Sequence, residues 1–209
     1  MHYLIEFRFH GYAKKYTKGL IHEVARKFRV RGVTQNRAVP HITLFGPFTT
    51  GREEKMVSEI VNVGRGFCLV PFIVKGFNYF DKEHKVIYLD VNPSAELKEL
   101  RQELAQRLGR LSDSQPWDTQ KQFQFHSTVA FRDIDRKFSK IWEYIKGKEE
   151  PNIKQHLLRI TILKEGKILY EYDLMLQKLL NRRQALSRYW FNKTIKNYRA
   201  ARFMVKGES

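Results

Sequence analysis

Two hydrophobic periods alternate along this chain, and their alternation limits the folds open to it. Residues 2 to 9 place Tyr3, Ile5, Phe7 and Phe9 at every second position, the pattern of a half-buried strand. From about Ala13 to Val30 the apolar residues Leu20, Ile21, Val24, Ala25 and Phe28 recur at helical spacing, and Gly32 reads as the stop. The breakers Pro40 and Gly46-Pro47 then bound a short strand, His41-Ile42-Thr43-Leu44-Phe45.

The same alternation continues. A second helix is predicted over 52 to 63, strands over Phe67 to Tyr79 (with Pro71 at an edge or bulge) and Lys85 to Val91, and a helix capped by Ser94 whose Leu97, Leu100, Leu104 and Leu108 form a buried stripe. Ser112 to Pro116 reads as a loop, Phe123 to Phe131 as a strand, and Arg136 to Ile145 as a helix closed by Gly147 and Pro151. Leu157 to Leu163 and Lys167 to Leu174, joined by Lys164-Glu165-Gly166, read as a hairpin. Helices following strands and an antiparallel hairpin late in the chain give an α+β architecture. The two halves are crudely similar, a hint of internal pseudo-symmetry.

Composition narrows the function. The 42% hydrophobic content supports a packed core and excludes a disordered tail protein. The single Cys68 excludes an intramolecular disulfide, and its place in Phe67-Cys68-Leu69-Val70 reads as a buried small hydrophobe. The charged, alternating N-terminus is unlike a signal peptide, and no run has the apolar length of a membrane span, so a water-soluble, cytoplasmic protein with no membrane partner is expected. With 39 Lys+Arg against 22 Asp+Glu the net charge is +17, a field that attracts polyanions, nucleic acid first among them.

The chemistry-bearing signal is a repeated tripeptide. His41-Ile42-Thr43-Leu44 and His126-Ser127-Thr128-Val129 are each His-x-Thr followed by an aliphatic residue, on predicted strands about half a chain apart. Positions i and i+2 of a strand share a face, so each His and Thr project together while Ile42 and Leu44, or Phe125 and Val129, point into the core. In-line hydrolysis of a phosphodiester needs a base on the attacking oxygen and an acid on the leaving one, and imidazole serves either role near neutrality. Threonine hydroxyls suit the non-bridging oxygens. The arrangement requires no metal or cofactor, and the other histidines lack zinc-site spacing.

These motifs, with Pro40 before the first, resemble the two signatures of the two-histidine (2H) phosphoesterase superfamily, in particular its LigT-like 2',5' RNA ligase group. The resemblance spans roughly residues 1 to 174. It implies a bilobal α+β fold, two antiparallel sheets around a central cleft with helices outside, and one motif from each lobe. It further implies that His126 activates water and His41 protonates the departing 3' oxygen, or the reverse, while Thr43 and Thr128 grip the phosphate. The implied reaction opens an RNA 2',3'-cyclic phosphate to a 2'-phosphate, with 2',5' ligation as its possible reverse. The chain departs from the commonest pattern at Phe45-Gly46-Pro47-Phe48 and at Phe131, where many members carry a basic residue.

Around the motifs, Phe48, Tyr79 and Phe80 are candidates to stack on a base, and Arg37 and Arg132 to meet a phosphate. Residues 175–209 read as a basic amphipathic helical extension beyond the 1–174 domain: no acid occurs from Leu174 to Gly207, while Arg182, Arg183 and Arg188 join other cations between aromatic residues. This is an RNA-binding arm or a lid, or else a helix docked through Trp190 and Phe203 with a solvated basic face. The partner expected is RNA, such as tRNA or another RNA with cyclic phosphate ends, bound by a monomer. A non-catalytic RNA-binding protein and an enzyme for small cyclic nucleotides or an ADP-ribose cyclic phosphate stay open as alternatives.

Overall fold

The computed structural model describes residues 1–35, 38–81, 84–120 and 122–207. It is α+β, with two antiparallel sheets. The first, in spatial order β2-β1-β7-β8-β9, is built from β1 (His2–Arg8), β2 (His41–Thr49), β7 (Arg159–Lys164), β8 (Lys167–Asp173) and β9 (Lys178–Asn181). The second, in order β5-β4-β3-β6, comprises β3 (Val70–Asp81), β4 (Lys85–Pro93), β5 (His126–Phe131) and β6 (Asn152–Leu157). The helices are α1 (Gly11–Phe28), α2 (Glu53–Arg65), α3 (Ala95–Gly109), α4 (Pro116–Thr119), α5 (Phe138–Lys146), α6 (Arg182–Ala185) and α7 (Arg188–Gly207). None among the described residues is long and apolar enough to cross a membrane.

Alternation does on each strand what its period requires. On the first sheet Ile5, Phe7, Ile42, Leu44, Ile160, Ile162 and Tyr172 are buried in the core. The opposite face carries Glu6, Arg8, His41, Thr43, Arg159, Thr161, Glu171 and Asp173. Helix α3 is held as its sequence predicts: the Ser94 hydroxyl accepts from the Leu97 N–H at 3.2 Å, and Leu97, Leu100, Leu104 and Leu108 are fully buried. The hairpin β7–β8 turns through Glu165 (φ 48°) and Gly166 (φ 71°), both left-handed, as a tight two-residue turn requires.

Several boundaries differ from expectation. Helix α1 ends at Arg29, whose φ of 51° caps it, rather than at Gly32. Gly32 serves a close approach instead, since a Cβ there would stand 1.8 Å from the Phe131 carbonyl oxygen. Strand β2 runs through Gly46-Pro47 to Thr49, because it is an edge strand, where proline withdraws no ladder donor, and register shifts against β1 absorb the irregularity. In β3 the irregularity lies between Val74 and Phe77, around Gly76 (φ 79°), and not at Pro71. The strand expected from Leu157 to Leu163 is β7, starting at Arg159, whereas β6 of the second sheet, which ends at Leu157, was not anticipated, and the chain passes between sheets at Leu158. Strand β5 starts only at His126. Cys68 is exposed, because it precedes β3 and points outward between Phe67, half-buried against the core, and the buried Val70.

The C-terminal stretch contributes more than helix. Strand β9 pairs with β8 from Tyr170↔Asn181 to Asp173↔Lys178, and α7 lies on the polar face of the first sheet. Its dock is not the expected one. Phe203 is 77% exposed, whereas Thr194 is fully buried between Asp173 and Arg159, and Tyr198 meets His156 at 2.9 Å.

Candidate active site

Both motif strands are edge strands, β2 of the first sheet and β5 of the second, and the sheets meet where these edges touch. Each strand begins with its histidine, and each burial pattern alternates as expected: His41 and Thr43 half-buried with Ile42 and Leu44 inside, His126 and Thr128 half-buried with Ser127 and Val129 inside.

The two imidazoles are fixed in the same way. His41 Nδ1 lies 2.8 Å from the Val39 carbonyl oxygen, and His126 Nδ1 lies 2.9 Å from that of Gln124. A carbonyl only accepts, so each Nδ1 carries the hydrogen, and each ring presents Nε2 as its free, reactive nitrogen. His41 lies near enough for its charge to help lower the His126 imidazole.

The surroundings of the rings differ. Burial pushes the His126 imidazole below its ordinary value, and His41 pushes in the same direction against the pull of the Gln124 carbonyl and Asp90. Phe80 meets the His126 ring edge-on at 5.1 Å, and Tyr88, opposite Thr128 in register, lies 5.0 Å away. Burial and Asp90 raise the Tyr88 phenol to about 12, so it stays a neutral donor. Asp90, opposite His126, is held by the Gln124 side-chain amide at 2.6 Å. At His41 the neighbour is a carboxylate: Glu6 Oε2 lies 3.7 Å from His41 Nε2, an ion pair whenever the ring is protonated, while Glu6 Oε1 accepts from Arg8 Nε at 2.6 Å.

Sequence reasoning singled out the four motif residues and did not consider Glu6, Tyr88, Asp90 and Gln124, which stand beside them. Nothing local marks these, because strand register alone brings Glu6 opposite Thr43 and Asp90 opposite His126. Other candidates are dispersed. Phe48 is 3% exposed and packed on Tyr3 and Phe45, so it is core and cannot receive a base. The departure at Phe45-Gly46-Pro47-Phe48 is structural: both phenylalanines are buried, and Gly46, at φ 100°, donates its N–H to the buried Asp118. Tyr79 packs on Phe138 and Trp142. Arg132 is exposed at the end of β5, its guanidinium 4.9 Å from the Phe131 ring. Arg182, Arg183 and Arg188 are exposed on α6 and the start of α7, and Arg37 falls outside the described residues. Among the described residues, no three His, Cys, Asp or Glu side chains are grouped to hold a metal ion.

A family model described as the 2'-5' RNA ligase superfamily matches residues 19–167. Among solved structures, TT0787 of Thermus thermophilus is 14% identical with a TM-score of 0.50, the match covering 88% of this chain and 98% of that one. Usb1 of Kluyveromyces marxianus is 8% identical with a TM-score of 0.50, covering 86% and 97%. Escherichia coli LigT complexed with NADP+ is 12% identical with a TM-score of 0.45, covering 86% and 96%. The first two show that the fold is shared. No curated protein matches the sequence.

Proposed function

This chain belongs to the 2'-5' RNA ligase superfamily of 2H phosphoesterases, and from that premise we propose that it opens the 2',3'-cyclic phosphate at an RNA end, leaving a 2'-phosphate. The observation that carries this reading is the mirrored pair of His-x-Thr strands, each imidazole bonded through Nδ1 to the carbonyl two residues before it.

In this mechanism the phosphate sits between the pair. His126 is the base, because burial keeps it neutral and able to accept a proton at pH 7. It takes the proton of a water whose oxygen bonds to phosphorus. His41 is the acid, since Glu6 beside its Nε2 balances the charge of the protonated ring. It gives that proton to O3' as the P–O3' bond breaks. Thr43 and Thr128 donate to the non-bridging oxygens, where charge grows in the transition state. A 5'-hydroxyl replacing water would form a 2',5' linkage by the same steps. The excess of basic residues supports RNA, rather than a small cyclic phosphate, as the substrate.

The test is turnover of an RNA oligonucleotide ending in a cyclic phosphate, with the product's phosphate position determined. His41→Ala and His126→Ala should each lose about 10²- to 10⁴-fold in rate, the usual worth of one general acid or base, with melting unchanged. A wild-type rate in either variant would overturn the reading.

A further inference from the structure

A second site adjoins the histidine pair. Helices α6 and α7 pack on the β7–β9 half of the first sheet's polar face, through Ala185 and Thr194 on Arg159 and Asp173, while the β1–β2 half carries His41 and Thr43. Along this boundary lies a cavity of about 380 Å³, which is within the range of small-ligand sites. Arg8 lines it and stands opposite His41 in register, so the cavity begins one strand from that ring.

The cavity's walls differ in chemistry. On one side the starts of two helices converge, α1 through His10, Gly11 and Lys14, and α7 through Ser187 and Arg188. Neither first turn holds an acidic residue, so the positive ends of the helix dipoles face the cavity, whose one lining carboxylate, Glu171, is paired with Arg159. Arg8 and Arg159 are committed to carboxylates, Arg8 to Glu6 and Arg159 to Glu171 and Asp173, whereas Lys14 and Arg188 are exposed cations with no such partner in the cavity. On the other side Leu186 and the half-buried Phe191 present apolar surface and an aromatic ring. An anion-accepting wall facing an apolar, aromatic one fits a nucleotide, its phosphate at the helix starts and its base against Phe191.

We infer that this cavity binds the penultimate nucleotide of an RNA whose cyclic-phosphate end lies between His41 and His126. The inference rests on the proposed function for its geometry. Part of the wall, from Ile168 to Phe191, lies beyond residue 167, where the family match stops, so this chain's C-terminal segment completes the cavity against β1 and the start of α1.

Lys14→Glu with Arg188→Glu tests it, since both positions are exposed and a glutamate in the first turn of a helix favours the helix. Uridine 2',3'-cyclic phosphate and the dinucleotide UpU ending in a cyclic phosphate should then separate. For the dinucleotide KM should rise about tenfold or more, with kcat little changed. For the mononucleotide both constants should stay within about twofold. Equal losses on the two substrates, or none on either, would overturn the subsite. Calorimetric binding of an unreactive tri-uridylate keeps this separate from the catalytic reading. Affinity lost in the double variant upholds the subsite even if the wild type turns over neither substrate, and unchanged affinity removes it.

Discussion

Replacing Thr194 with valine should detach α7 from the sheet at a cost well above the change in shape. The hydroxyl donates to Asp173 Oδ2 and accepts from Arg159 at 2.6 Å, at a point where Thr194 and Asp173 have no exposure and Arg159 has 6%. Both partners are charged, and a hydrogen bond to a charged group contributes about 1.5–3 kcal/mol. Asp173 keeps Arg159 Nε at 2.9 Å and the Met175 and Leu176 N–H groups at 3.0 Å, so its loss falls at the low end. The Arg159 terminal nitrogen that faced Thr194 has no such reserve. The sum is about 4.5 kcal/mol, or roughly 9–18 °C in the unfolding midpoint of a chain this size. Thr194→Ser keeps the hydroxyl and removes one methyl, costing about 1 kcal/mol. Calorimetric melts of the two variants decide the matter, because shape alone ranks them in the opposite order. A valine variant as stable as the serine variant would refute the hydrogen-bond account.

Two further outcomes follow from the packing. Burial holds His10, His126 and His156 below the ordinary value of 6.5, so between those lowered values and 6.5 the unfolded chain binds more protons than the folded one. Stability should therefore fall as pH drops below 6.5, and His126→Gln should make that fall shallower; a melting midpoint constant across this window would contradict the burial. Glu171, whose carboxyl burial raises, titrates with the opposite sign and offsets part of that fall. Gly64→Ala should destabilise despite the better helix propensity of alanine, because the added Cβ would stand 2.3 Å from the Tyr172 ring where α2 meets β8. Overpacking costs about 1–3 kcal/mol against a gain of at most about 1, and an unchanged or higher midpoint by chemical denaturation would sink this reading.

The motif pair was legible because a strand's side-chain period is local: His41 and Thr43 share a face whatever the strand pairs with, and so do His126 and Thr128. The four leucines of α3 and the left-handed turn at Glu165-Gly166 were legible for the same reason. What the sequence hid was set by partners far along the chain. Glu6 lies beside His41 because β1 pairs with β2 in one register, and a shift by one residue would turn Glu6 into the core. The strand through Gly46-Pro47 was hidden in the same way, since only its place at a sheet edge lets it continue.

The docking contacts of the C-terminal helix were hidden for a different reason. A search for apolar residues at helical spacing selects Trp190 and Phe203 as the docking face, but the dock is a hydroxyl, Thr194, set into a buried ion network. Hydropathy ranks threonine as indifferent, and the partners that give it value, Arg159 and Asp173, lie on other strands. Charge makes the arrangement self-consistent. The segment from Leu174 to Gly207 carries no acid, and the sheet face beneath it supplies two carboxylates, Glu171 and Asp173, bridged by one guanidinium. Those carboxylates are engaged by Arg159 within the sheet, and among the described residues Arg188, at the start of α7, has no carboxylate partner. The helix is thus held to the sheet by carboxylates that the sheet supplies, in a segment that supplies none of its own.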